Sequence, residues 1–149
     1  MPETLFQKLA QTSDSRSVLL IRLLVGLVFL SEGIQKFLFP ELRGAGRFAK
    51  IGLPDPELLG SLVGGMEVLC GTLVLLGLLT RMAAIPLVAI MLVAIVATKL
   101  PLLAEKGFWE MLHSSRTDWA MLLGSIFLLV NGAGKLSADR HLQKNTNRK

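Results

Sequence analysis

The sequence predicts an all-α membrane protein, a four-helix bundle with short interfacial helices in its two longer loops. Hydrophobic residues make up 52% of the 149 residues, and the mean hydropathy is +0.57, which is high for a soluble domain. No charged residue occurs between Met82 and Thr98. Because about 20 apolar residues in a helix cross the hydrocarbon core of a bilayer, several windows are long enough to span it. We therefore predict one membrane domain over residues 1–149.

The first predicted span covers about residues 17–39. Asp14 or Ser15 is expected to cap its N-terminus, because these side chains accept hydrogen bonds from free backbone N–H groups. Pro40 follows its end and stops the helix. No small-x-small cleavage site follows this apolar run, so we expect the segment to remain in the protein.

The next two predicted spans form a helical hairpin. Span two covers about residues 57–79, with Asp55 as its cap and Pro56 as its first helical residue. Only residues 80–81 link it to span three, which covers about residues 82–100. So short a link requires the two helices to be antiparallel neighbours.

The fourth predicted span covers about residues 119–136, after the polar segment HSSRTD. The loops before spans two and four mix charged with apolar or aromatic residues, as segments at a membrane surface do. In the first of these loops Arg43, Arg47 and Lys50 recur at i, i+4 and i+7, which puts them on one face of any helix there. We interpret these three residues as anchors for lipid phosphate groups.

The residue types exclude several kinds of cofactor site. Cys70 is the only cysteine, so the chain by itself holds no intrachain disulfide, no CxxC redox pair and no iron–sulfur cluster. His113 and His141 lie in a loop and in the tail, where they cannot serve as paired axial haem ligands within the spans. We expect no metal site and no covalently bound cofactor, so any electron chemistry would use a borrowed carrier such as quinone.

The net charge of +5 bears on orientation and partners. Lysine and arginine are more numerous on the side of the two termini and the tight turn than in the two longer loops, which places both termini in the cytoplasm. The basic tail lacks the interleaved aromatic residues of a nucleic-acid-binding face. We therefore expect contact with the lipid bilayer and none with nucleic acid.

The first predicted span carries glycines and charged residues on one helical face. At about 100° per residue, Arg22, Gly26, Gly33 and Lys36 fall within about 80° of one another, with Glu32 beside them. This face is the first glycine stripe.

The second predicted span has a matching stripe made of Gly60, Gly64, Glu67 and Gly71. Small residues at this spacing let two helix backbones approach closely. We therefore expect the two stripes to pack together, so that Glu67 meets Lys36 or Arg22.

The principal candidates for a functional site form one predicted polar cluster: Arg22, Glu32, Lys36 and Glu67. An unpaired charge at the centre of a bilayer costs roughly 2.5–3.5 kcal/mol, so intramembrane charges are usually paired or functional. Three interpretations stay open. The cluster is a structural staple, a site for a quinone, proton or anion, or a place where Lys36 reaches lipid headgroups.

A second, interfacial cluster consists of His113, Arg116 and Asp118, just before the fourth span. It is either a solvated loop whose hydroxyl residues cap the next helix or a proton relay, since histidine titrates near neutral pH.

The chain resembles the DoxX family of small membrane proteins through an ordered set of motifs, from about Leu20 to Asp139. The matching segments are RLLVGLVFLSEGIQKF, IGLPDP, GGMEVLCGTLVLLGLLTRMAAIPL and TDWAMLLGSIFLLVNGAGKLSAD. The resemblance implies a four-helix bundle in the bacterial inner membrane. It also implies relatives that are subunits of thiosulfate:quinone oxidoreductases, or members of complexes that respond to oxidative or thiol stress.

From this resemblance we expect a multi-pass inner-membrane subunit of a quinone- or sulfur-linked redox system, working with a redox partner protein. The cations of the predicted polar cluster would hold an anionic substrate while its carboxylates relay protons. The alternative is a non-enzymatic scaffold or assembly factor whose glycine stripes and loops dock another protein. A homo-oligomer is compatible with either.

Overall fold

A computed structural model of the chain describes residues 13 and 15–146, with side chains described up to residue 142. Within that part every regular element is an α-helix, so the predicted all-α fold is confirmed. The helices are α1 (Val18–Leu38), α2 (Pro40–Arg43), α3 (Ala45–Lys50), α4 (Pro56–Leu76), α5 (Thr80–Lys106), α6 (Phe108–Ser114), α7 (Arg116–Asn131) and α8 (Ala138–Thr146).

Helices α1, α4 and α5 are each long and apolar enough to cross a membrane. The first agrees with the predicted span at 17–39, although the proposed cap Asp14 lies outside the described residues. Helix α7 overlaps the fourth predicted span, but it begins at Arg116 and ends at Asn131 instead of covering 119–136. Its 16 residues extend only about 24 Å at 1.5 Å per residue.

The turn between α4 and α5 lies earlier than predicted. Gly77, with φ of 67°, ends α4, and Leu79 also has a positive φ of 48°. Thr80 already begins α5, which continues through two prolines to Lys106. The predicted link at 80–81 is therefore wrong, because the left-handed residues that reverse the chain are 77 and 79.

Two expected helix caps occupy the right positions without making the expected bonds. Asp55 precedes α4 and Ser115 precedes α7, but neither side chain bonds to its helix's free N–H groups. The Ser115 hydroxyl instead donates backwards to the carbonyl of Leu112 at 3.2 Å.

The glycine stripes of α1 and α4 pack against each other, as predicted. A Cβ atom at Gly33 would lie 2.7 Å from the carbonyl oxygen of Gly64, and one at Gly71 would lie 3.1 Å from that of Gly26. Real side chains do not approach backbone atoms so closely, so these positions hold the two helices at a distance that only glycine permits.

Helices α1, α4, α5 and α7 form a closed ring in which each contacts the next. Gly124 of α7 fits against Val25 of α1, where a Cβ atom would be 2.7 Å from a valine methyl. Leu87 of α5 and Leu128 of α7 are fully buried in the apolar core. The ring thus has a packed centre, and the residues outside it are free to face lipid.

A matched pair of glycine substitutions tests the packing of the stripes. Gly33→Ala should lower the free energy of unfolding by about 1–3 kcal/mol, because the added methyl group overpacks a backbone contact. Gly65→Ala on α4 should cause no loss, since no atom lies within 4 Å of its Cβ position and alanine favours a helix by about 1 kcal/mol over glycine. Thermal unfolding of both variants in the same detergent measures the difference. Equal losses would contradict the stripe packing.

Candidate functional site

Arg22 closes the end of the bundle at which α1 begins. Its guanidinium group is buried and donates hydrogen bonds to four backbone carbonyls: Val74 at 2.9 Å, Leu75 at 2.5 Å, Leu136 at 2.5 Å and Ala133 at 3.2 Å. The first two belong to the last turn of α4, where carbonyls have no helical partner and a positive charge is favourable. One side chain therefore ties α1 to α4 and to the segment that follows α7.

Asp139 completes the same end of the bundle. Its carboxylate accepts hydrogen bonds from the N–H groups of Leu79 at 2.8 Å and Thr80 at 3.2 Å, and its own N–H donates to Gly77 at 2.9 Å. It thus caps the free N-terminus of α5. Burial raises the pKa of the Asp139 carboxyl, while the two N–H donors and the charge of Arg22 act in the opposite direction.

Arg22 therefore does not belong to the predicted polar cluster with Glu32, Lys36 and Glu67. Arg22 and Lys36 share a face of α1, but their positions along the helix differ by roughly 21 Å at 1.5 Å per residue. Angular position alone grouped them in the prediction. Their different levels along the axis separate them in the structure.

Lys36 and Glu67 form an ion pair between α1 and α4. The distance from Nζ to Oε2 is 2.5 Å, and the two side chains are only 9% and 5% exposed. The predicted meeting of Glu67 with Lys36 is confirmed. Removing one partner of such a buried pair typically costs 3–5 kcal/mol, because the remaining charge stays buried.

A cavity of about 450 Å³ lies beside this ion pair. Helices α1, α4 and α5 form most of its wall, and α2, α3 and the start of α7 contribute as well. Its volume falls in the range of small-molecule sites, which combine apolar walls with a few polar groups. Most of the lining residues are apolar, and the charged ones are Glu32, Lys36, Arg43, Arg47, Glu67 and Asp118.

The predicted interfacial cluster divides into two parts. Arg116 bonds to the ring nitrogen of His113 at 2.7 Å, and both side chains are exposed. Asp118 instead pairs with Lys99 of α5 at 3.1 Å and lines the cavity. Of the three residues in the predicted interfacial cluster, only Asp118 therefore lines the cavity.

The three cations of the first loop are not on one helical face. The helix breaks at Gly44, between α2 and α3. A Cβ atom at Gly44 would lie 2.7 Å from the carbonyl oxygen of Lys36. Arg43 and Arg47 reach the cavity, while Lys50 does not, so the predicted arrangement of all three on one face is wrong.

Sequence reasoning did not identify Asp139 or Lys99 as partners. Asp139 is the only acidic residue in the basic tail KLSADRHLQKNTNRK, and that isolation was a signal that it has a specific partner. Lys99 falls at the end of the third predicted span, and no partner was predicted for it. Among the described residues no group of three histidine, cysteine or acidic side chains is arranged to hold a metal ion.

Comparison with known proteins identifies several relatives. The sequence matches the family model described as DoxX over residues 17–100. It is 54% identical over 143 residues to the uncharacterized membrane protein Rv3486 of Mycobacterium tuberculosis. This alignment covers 92% of this chain and 88% of the Mycobacterium protein. It is 30% identical over 124 residues to a Bacillus subtilis protein named "Putative oxidoreductase CatD". This alignment covers 81% of this chain and 83% of the Bacillus protein. No solved structure matches the chain.

The carbonyl contacts of Arg22 predict that lysine cannot replace it. Arg22→Lys should lower the free energy of unfolding by about 2–4 kcal/mol, because an ammonium group lacks the planar fork that serves several carbonyls and leaves some unsatisfied. Thermal unfolding followed by circular dichroism measures the loss. Arg16→Lys, at an exposed position before α1, is the matched control and should be neutral. An Arg22→Lys protein as stable as this control would contradict the structural role.

Proposed function

The chain belongs to the DoxX family of membrane proteins, and from that premise we propose that it is the membrane subunit of a redox system that binds a quinone. The observation that carries this proposal is the cavity of about 450 Å³, with largely apolar walls and one buried ion pair. The printed name of the Bacillus relative, an oxidoreductase, points in the same direction. The membrane around the protein would supply the quinone.

The residues in the cavity fit a quinone. A quinone offers an apolar ring to the walls and carbonyl oxygens to hydrogen-bond donors, and when bound it accepts two electrons and two protons. Lys36 supplies the donor through Nζ, and Glu67 holds that Nζ in place. Phe29 and Met121 contribute to the apolar wall.

The carboxylates provide places for protons near the ring. Glu67 takes up a proton at its other oxygen, Oε1, and passes it on, while Lys36 stays bonded to Oε2 and uses another of its three N–H groups for the ligand. Glu32 lines the same cavity and is close enough to Glu67 to act on it electrostatically. The electrons come from a redox partner protein, with a sulfur compound as the donor, because the chain's own residues carry no redox group.

In the membrane, we place four crossing helices in the bacterial inner membrane: α1, α4, α5 and the shorter α7. The loop helices α3 and α6 lie at the interface, and both termini are cytoplasmic. Phe108 and Trp109 of α6 are 53% and 79% exposed, as aromatic residues at the headgroup level are. Lys50, which is exposed and does not line the cavity, anchors α3 to lipid phosphates.

The alternative of a non-enzymatic scaffold has less support. It rested on the glycine stripes as docking surfaces, and both stripes are used in the contact between α1 and α4. A partner would have to dock elsewhere, through the interfacial loops.

Substitution of Lys36 tests the quinone site. Lys36→Met keeps an unbranched side chain that is one atom shorter and removes the donor, and quinone affinity should fall by at least about tenfold, or 1.4 kcal/mol. Purification in mild detergent, extraction of bound quinone into hexane and measurement of its ultraviolet absorbance give the occupancy. Titration of the emptied protein with a short-chain quinone gives the affinity.

Lys50→Met is the matched control, because this exposed lysine lies outside the cavity lining. It should retain the wild-type quinone content. Glu67→Gln keeps the Lys36 donor, so it should bind quinone better than Lys36→Met but slow quinone reduction with a sulfur donor and the co-purified partner. Equal quinone content in the two lysine variants, or none in the wild type, would overturn the proposal.

A further inference from the structure

Two arginines that come from separate short helices line the cavity, and because both are exposed we call their end of it the mouth. Arg43 ends α2 and Arg47 lies within α3, and both line the cavity. Close backbone contacts fix these helices, since a Cβ atom at Gly60 of α4 would be 2.9 Å from the N atom of Ala45. The two guanidinium groups therefore start from a fixed backbone, and little ordering is needed for them to act together.

Neither arginine forms an ion pair or a side-chain hydrogen bond with a described residue. Two ion pairs occur in that part of the chain, Lys36–Glu67 and Lys99–Asp118, and no side-chain hydrogen bond involves Arg43 or Arg47. Of the charged groups that line the cavity, Glu32 is the third without an ion-pair partner. Two positive charges against one negative charge leave a net charge of +1 at the cavity mouth.

The wall beside this mouth is apolar and reaches the outside of the bundle. Ala89, Ile90, Val93 and Ala94 of α5 line the cavity, and Val93 is 56% exposed. An apolar chain can therefore continue from the cavity along α5 into the surrounding lipid. The mouth itself lies on the connection between α1 and α4, at the level where two apolar helices end.

We propose that Arg43 and Arg47 bind the oxyanion head of a singly charged acidic lipid, whose chain lies along α5. Arginine pairs phosphate and carboxylate oxygens through parallel N–H bonds, which gives both strength and orientation. A single negative charge neutralises the net +1 of the mouth. Anionic phospholipids such as phosphatidylglycerol and ionised fatty acids each carry one net negative charge, whereas zwitterionic phosphatidylcholine carries none. This site does not depend on quinone binding, although a lipid and a quinone would compete for the apolar part of the cavity.

Lipid titration of the purified full-length protein, delipidated in a neutral maltoside detergent, tests the proposal. Native mass spectrometry and thermal unfolding would be followed with dioleoyl phosphatidylglycerol, dioleoyl phosphatidylcholine, oleate and inorganic phosphate. Saturable one-to-one binding of phosphatidylglycerol or of oleate, with a rise in Tm, supports the site and identifies its source. Equal binding of phosphatidylcholine, or phosphate binding without any gain from a lipid chain, would overturn it.

Variants that remove one positive charge each test whether the acidic lipid binds specifically at Arg43 and Arg47. Arg43→Gln and Arg47→Gln should each weaken binding of the acidic lipid by about fivefold to tenfold, since each removes one charge-assisted contact. Lys106→Gln is the matched control, because this exposed lysine at the end of α5 does not line the cavity, and it should bind as the wild type does. Because none of the three side chains forms an ion pair or a hydrogen bond with a described residue, the Tm without lipid should stay unchanged. An equal loss in all three variants means non-specific surface attraction and rejects the site, whereas the quinone proposal is decided separately by Lys36→Met.

Discussion

The close contact between α1 and α4 at facing glycines determines where the buried charges of these two helices lie. Gly26 faces Gly71 and Gly33 faces Gly64, with backbone atoms so near that a methyl group would not fit. Two antiparallel helices held at two such points cannot slide along each other. Lys36 is thereby brought to the level of Glu67, and Arg22 to the last turn of α4.

The two ends of the bundle use their charges in different ways. At one end Arg22 and Asp139 satisfy backbone groups that helices leave free, so that charge serves to close the fold. At the other end Lys36 and Glu67 form an ion pair with each other, and a cavity adjoins them. The charges therefore fill one end of the bundle with hydrogen bonds to the backbone, while the cavity and the candidate site lie at the other end.

Part of this arrangement could be predicted from residue spacing. The stripes, their mutual packing and the pairing of Lys36 with Glu67 follow from helical periodicity and from the cost of an unpaired charge in lipid. The grouping of Arg22 with that pair failed, because periodicity gives the angle around a helix and not the level of its partner. The loop cations were likewise placed on one face because nothing in their spacing shows that Gly44 interrupts the helix.

The sequence by itself determined that the chain is helical and apolar enough for a membrane, and which faces of two helices meet, since hydropathy and periodicity are local properties. Only the tertiary structure decided that Asp139 caps α5, that Lys99 forms an ion pair with Asp118, and that a cavity lies beside Glu67. These features join residues far apart in the chain. Their positions depend on the axial register of packed helices and on where each helix ends, and these result from the sum of many contacts across the bundle.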